Sequence, residues 1–85
     1  MRLINIGFGN MISSGKIVAV VSPDSAPVKR IVQEAKETGK AIAASQGRKT
    51  KSVIITDSNH VVMSALTTDV IANRINGDNE GDTNE

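Results

Sequence analysis

Three bases fall within four residues in Gly47-Arg48-Lys49-Thr50-Lys51, and no acid occurs between Lys40 and Asp57. Arg and Lys clustered without carboxylates raise a concentrated positive potential, the arrangement that neutralises nucleic-acid phosphates and releases their counterions. The same bases can also serve as a solubilising edge, with Lys guarding a strand against unwanted pairing. Lys16, just ahead of an apolar run, and Lys29 with Arg30, inside a helical pattern, are further candidates for a phosphate-contacting set. Lys29, Gln33, Lys36 and Lys40 recur at helical spacing, which by itself describes a solvated face, and Arg30 stands four residues before Glu34, the spacing of a helical ion pair.

Catalytic chemistry is poorly supplied. His60 is the only His, Cys and Tyr are absent, and Asp24, Glu34, Glu37, Asp57 and Asp69 show no paired spacing. A nucleophile needs an adjacent base, and a metal needs three or four ligands, so neither an enzyme nor a metal site is expected. Gly7-Phe8-Gly9-Asn10 suggests a nucleotide-binding glycine loop, but Ile12 stands where the third glycine belongs. Gly47-Arg48-Lys49-Thr50 likewise lacks the spacing of a Walker A loop. No cofactor is implied, and no small-molecule ligand is evident. Gly7 and Gly9 are better read as a bulge or a close backbone approach. Single-stranded nucleic acid is held by stacking on aromatic side chains, and Phe8 is the only aromatic residue, so duplex binding is favoured.

The elements that must position these residues are short. Leu3 to Phe8 alternates as a strand, Met11-Ile12 suggests a brief second one, and Lys16 to Val21 is a β-branched run ended by Ser22-Pro23. A helix is predicted from Ser25 as N-cap, with Pro27 in its first turn, Val28, Ile31, Val32 and Ala35 on one stripe, and Gly39 at its end. Ala41 to Ala44 is a weak strand. Ser52 to Thr56 and His60 to Ala65 form a hairpin around Asp57-Ser58-Asn59, and a short helix follows from Thr68 as cap through Ile75. Val53-Ile54-Ile55 and Val61-Val62-Met63 are apolar on both faces and need cover on both, more than one medium and one short helix supply. Either a second subunit or a β-rich fold closing on itself must provide the rest.

Eighty-five residues make one domain, and so short a chain buries only about 60–65% of its unfolded surface. Without Cys no disulfide can assist, which again favours association of subunits. The formal charge of +1 conceals an asymmetry. Residues 1–76 hold ten bases and five acids, while the remaining four acids lie in residues 77–85, so a basic body precedes a tail of 76–85 expected to be disordered and acidic. No signal-like apolar stretch is present, nor the roughly 18–20 apolar residues that span a bilayer, so no membrane association and a cytoplasmic location are expected.

Asn5-Ile6-Gly7-Phe8-Gly9-Asn10, Val21-Ser22-Pro23-Asp24-Ser25-Ala26-Pro27-Val28-Lys29-Arg30 and Gly47 to Ile55, continued by Asp57-Ser58-Asn59-His60-Val61, resemble the RemA family of extracellular-matrix regulators over roughly residues 3 to 75. The resemblance implies a non-enzymatic transcription regulator of matrix and biofilm genes. It would be nucleoid-associated and assembled into a ring, octamer-like, with double-stranded DNA wrapped on a basic outer surface. It also implies DNA contact by Arg48-Lys49, importance of Lys16, and a structural role for Pro27. The chain departs from the family's preference for Arg at Lys16, Lys49 and Lys51. Lys contacts phosphate as a point charge but lacks the planar fork of Arg, which touches sequence preference more than affinity. The expectation is an α/β (α+β) domain of about five strands, one main helix and a short C-terminal helix, oligomerising into a ring. A ring that recruits another protein, without DNA, is the alternative.

Overall fold

The computed structural model describes residues 2–77. Six strands and two α-helices follow in the order β1 Leu3–Gly7, β2 Asn10–Ser13, β3 Ile17–Val21, α1 Ala26–Thr38, β4 Ala41–Ala43, β5 Ser52–Thr56, β6 Val61–Ser64 and α2 Thr68–Asn76, with a single 3-10 turn at Ser14–Lys16 between β2 and β3. The class is α+β, with the strands divided between two sheets. β1 and β2 form an antiparallel hairpin, and the other four form a sheet in the order β3-β5-β6-β4, in which only β4 and β6 run parallel.

Strand residues alternate between faces, so the consecutive Val53 and Ile54, both 0% exposed, require cover on both sides of the sheet. The chain supplies both covers. On one face Val28 and Ala35 of α1 pack with Val53 and Val61. On the other, Ile4 and Ile6 of β1 and Ile71 of α2 pack with Ala44, Ile54 and Val62. The cover that the apolar pattern requires thus comes from within, because the β1–β2 hairpin folds over the face that α1 leaves open. Four of the exposed large apolar residues lie on strands without a second partner, Leu3 on β1, Met11 on β2, Val18 on β3 and Ile42 on β4; the others are Phe8 in the β1–β2 turn and Ile31, which stands at the edge of the α1 stripe and is not buried with Val28 and Ala35. The register between β3 and β5 shifts between Ile17 and Ala19, which leaves Val18 unpaired as the bulged residue.

The helix ends follow local chemistry. The Ser25 hydroxyl accepts from the Val28 amide at 3.3 Å, and Gly39 closes α1 in the left-handed conformation at φ 77°. The cap of α2 is Thr67 rather than Thr68, its hydroxyl accepting from the Val70 amide, a register that points Ile71 into the core. α2 runs to Asn76, one residue beyond the Ile75 expected from the sequence, and Gly77 closes it in the left-handed conformation. The rest of the acidic tail lies outside the described residues. Arg2 donates through Nη2 to the carbonyls of Arg74 and Ile75, a cation at the negative end of α2, and Arg74 Nη1 donates to the Asn5 carbonyl at 2.9 Å. Two of the body's bases therefore fasten α2 to β1.

Candidate nucleic-acid interface

The loop between β4 and β5 has to cross the end of β6, which lies between those two strands. It is fixed there at both feet: the Ala44 amide donates to the Met63 carbonyl at 2.9 Å, and the Lys51 amide to the Ser64 carbonyl at 2.8 Å. Between the feet the chain reverses through Gln46 at φ 56° and Gly47 at φ 80°, and the Arg48 amide closes the turn on the Ser45 carbonyl at 2.9 Å. Ala44 and Ser45 are buried, whereas Gln46 to Lys49 and Lys51 are exposed. A buried start at Ala44-Ser45 and backbone anchors at both ends hold Arg48, Lys49 and Lys51 out from a fixed backbone.

Arg48 has a further support. Its guanidinium carbon lies 5.8 Å from the centroid of the Phe8 ring, within the range of a cation–π contact. Phe8 stands in the β1–β2 turn at φ 55°, between Gly7 at φ 110° and Gly9 at φ 78°. Only a residue without a side chain takes the Gly7 conformation easily, and a Cβ there would meet Leu66 at 3.5 Å. This three-residue left-handed turn presents the ring. The sequence suggests the turn but carries no signal that Phe8 reaches Arg48, forty positions away in the chain.

Lys29 and Arg30 join this end of the molecule. β3 finishes with Val21 opposite Val53, near Lys51, and α1 starts soon afterwards with Val28 packed in the Val53 cluster. Both bases are exposed in the first turns of that helix, at its positive end. Arg30 does not pair with Glu34. On this helix Gln33 Nε2 donates to Glu37 at 3.2 Å instead. None of Arg48, Lys49, Lys51, Lys29 and Arg30 is ion-paired to another described residue.

Lys16 is elsewhere. Ile17 pairs with Thr56 and the Asp57 amide donates to the Lys16 carbonyl, so Lys16 lies at the far end of β5 from Lys51, on the order of 20 Å of strand away. That exceeds the roughly 8 Å over which exposed charges act at physiological salt. Its ammonium faces Asp57 at 3.9 Å, with both side chains about half exposed. Within one subunit the strand pairing puts the start of α1 at the same end of the sheet as the loop, and Lys16 at the opposite end. His60 lies at the Lys16 end, with Nδ1 2.7 Å from the Ser58 hydroxyl. Among the described residues no group of three or more His, Asp or Glu side chains is placed to hold a metal, and no helix is long and apolar enough to cross a membrane.

Comparison with known sequences agrees over most of the chain. The profile of a family described as RemA-like, extracellular matrix regulatory protein A-like, matches residues 3–75. A protein of Thermoanaerobacter sp., named provisionally as a regulatory protein, is 56% identical over 80 residues, which cover 94% of this chain and 83% of that one. One of Geobacillus thermodenitrificans with the same description is 52% identical over 80 residues, covering 94% and 92%. A third, from a Synechococcus species, is 58% identical over 73 residues, covering 86% and 82%.

Proposed function

The chain belongs to the RemA-like family, and on that premise we propose that it is a transcription regulator of extracellular-matrix genes that binds duplex DNA through Arg48, Lys49 and Lys51. The observation that carries this reading is the exposed loop, held at both feet to the end of β6 and free of ion pairs with described residues. Unpaired cations on a fixed backbone hold no carboxylate that phosphate must displace, and little ordering is lost when they engage. Lys29 and Arg30 extend the same surface along α1.

Copies of the chain act together, in a ring or ring-like array. Leu3 on β1 and Val18 on β3 are exposed on strands with one free edge each, which supports association. Repeated loops around such an assembly add their weak contacts by multivalency and let Lys16 of one copy work beside the loop of another. The protein acts in the cytoplasm, at the nucleoid, without catalysis. The same exposed apolar residues are what an adaptor reading would use to recruit a protein partner.

A titration of labelled duplex DNA at several salt concentrations tests the proposal, with native mass measured on the same samples. Affinity falls linearly on logarithmic axes between about 50 and 200 mM salt. Arg48→Ala/Lys49→Ala weakens binding about tenfold or more and makes the salt dependence shallower, by roughly one unit of slope for each phosphate no longer neutralised. Unchanged affinity in the double variant removes the loop from the mechanism. An assembly without DNA affinity at low salt transfers the function to the adaptor.

A further inference from the structure

At the Lys16 end of the sheet a cleft of about 380 Å³ opens between β2, β4 and the β5–β6 turn. That volume falls in the range of small-molecule sites. Its floor is aliphatic, from Ile6 and Val62 in the core to Met11 and Ile42, which are 51% and 48% exposed. One end of the lining is polar and holds Lys16, Asp57, Ser58 and His60. Asp57 is the only acid of the lining, and Lys16 already faces it.

The hydrogen bonds at that end leave donors over. The His60 amide donates to Thr56 Oγ1 at 3.1 Å, Thr56 Oγ1 lies 3.0 Å from Ser58 Oγ, and Ser58 Oγ lies 2.7 Å from His60 Nδ1. With the shorter contact taken at each hydroxyl, Thr56 donates to Ser58 and Ser58 to Nδ1. The proton of the imidazole then sits on Nε2, which has no partner among the described residues. The Lys16 ammonium has three donors and one distant acceptor. The imidazole N–H has no partner and the ammonium shares one of its three donors with Asp57, so this end of the aliphatic trough complements an anionic head on an apolar tail.

We propose that this cleft binds a free medium-chain monocarboxylate, its carboxylate accepting from Lys16 Nζ and His60 Nε2 and its chain lying over Met11, Ile42 and Val62. Burying the tail supplies most of the driving force, and the head fixes the orientation. The second part of the inference rests on the DNA reading given above. A carboxylate on Lys16 removes one cation from the phosphate-binding set, so the ligand lowers DNA affinity.

The test uses the full-length chain and decanoate below its micelle threshold, with decanol as the neutral probe of equal length. Calorimetry gives one decanoate per subunit, and methyl NMR shows shifts at Met11 and Ile42. Decanol binds about tenfold more weakly, because it gives up the charge-assisted bonds. Ile42→Asp, at an exposed position, weakens decanoate binding by about tenfold through an unpaired carboxylate on the floor. Lys16→Met weakens it as well, and Lys16→Arg restores it. Equal binding of decanol and decanoate overturns the assigned head group. No binding of decanoate, with Ile42→Asp lowering the native mass, shows that a second copy covers the cleft and overturns the site. With decanoate bound, the salt slope for DNA falls by about one per engaged subunit. Decanoate binding that leaves the DNA titration unchanged overturns the regulatory link while the site stands, and these measurements without DNA hold whatever the DNA reading's fate.

Discussion

The two ends of the four-stranded sheet carry bases of different kinds. At one, Arg48, Lys49 and Lys51 project from a loop fixed by backbone bonds to the end of β6, with Lys29 and Arg30 on the helix that starts at the same end of the sheet and no described carboxylate paired to any of them. At the other, Lys16 faces Asp57 beside an aliphatic cleft. The number of bases is therefore a poor measure of a binding surface. A paired cation must give up its partner before phosphate gains, so only the unpaired end presents its full potential to a duplex. Between the ends lies a stretch of β5 buried on both faces, which keeps the two surfaces at a fixed separation.

The contrast between the ends collapses most completely if that stretch is loosened. Ile54 is 0% exposed and sits among Ile4, Ile6, Val62 and Ile71. Ile54→Ala should cost about 2–5 kcal/mol, from forfeited transfer energy and a cavity that backbone ladders on both sides prevent from closing. In a chain of this size the melting midpoint, followed by circular dichroism, should drop by at least about 10 °C. A drop of a degree or two would mean that the centre is plastic and the separation of the ends is not fixed.

The next largest effect sets one end directly against the other. Arg48→Ala should weaken duplex binding by about tenfold and Lys16→Ala by about threefold, since Lys16 has Asp57 to give up. The measurement is the same salt-dependent titration on both variants. Equal losses would mean that the assembly places the Lys16 end of one subunit against the same stretch of DNA as the loop of its neighbour.

Much of this was legible in the residues. Every strand and both helices can be read from alternation, β-branched runs and caps, because those signals are local. Gly47 followed by three bases marks the cationic loop for the same reason. What could not be read is set by contacts distant in sequence. The hairpin's place over one sheet face decides that Ile54 and Val62 are covered from within, and no pattern in residues 3–13 reports it. The separation of Lys16 from Lys51 follows from the pairing of Ile17 with Thr56, which a linear reading cannot supply. Phe8 beneath Arg48 is hidden in the same way.

A smaller effect follows from the Phe8–Arg48 pair. Phe8→Ala removes the face on which the Arg48 guanidinium rests, and an exposed cation–π interaction is worth about 0.5–1 kcal/mol. Duplex affinity should fall about two- to fivefold as Arg48 becomes less preorganised, with the melting midpoint nearly unchanged because Phe8 is 52% exposed. Phe8→Tyr keeps the ring and should restore affinity. Equal affinity in Phe8→Ala and wild type would show that the loop's backbone anchors alone position Arg48.

The smallest effect concerns the anchor itself. Ser52 and Ser64 face each other across β5 and β6, next to the foot of the loop, and both are 0% exposed. Ser64 Oγ donates to the Ile6 carbonyl at 2.7 Å and accepts from the Leu66 amide at 3.0 Å, which ties the sheet to the hairpin. Ser52 Oγ has no partner among the described residues. A buried hydroxyl without a bond is a cost to folding, so Ser52→Ala removes an unmet polar atom and leaves only a small void. The two terms nearly cancel, and thermal denaturation should show a stability change within about 0.5 kcal/mol, on the stabilising side if the strand relaxes. Since Lys51 is held by its own amide and not by Ser52, duplex affinity should be unchanged. A clear loss of both stability and affinity would mean that the hydroxyl takes part in fixing the loop, and that the cationic end is held by side chains as well as by backbone.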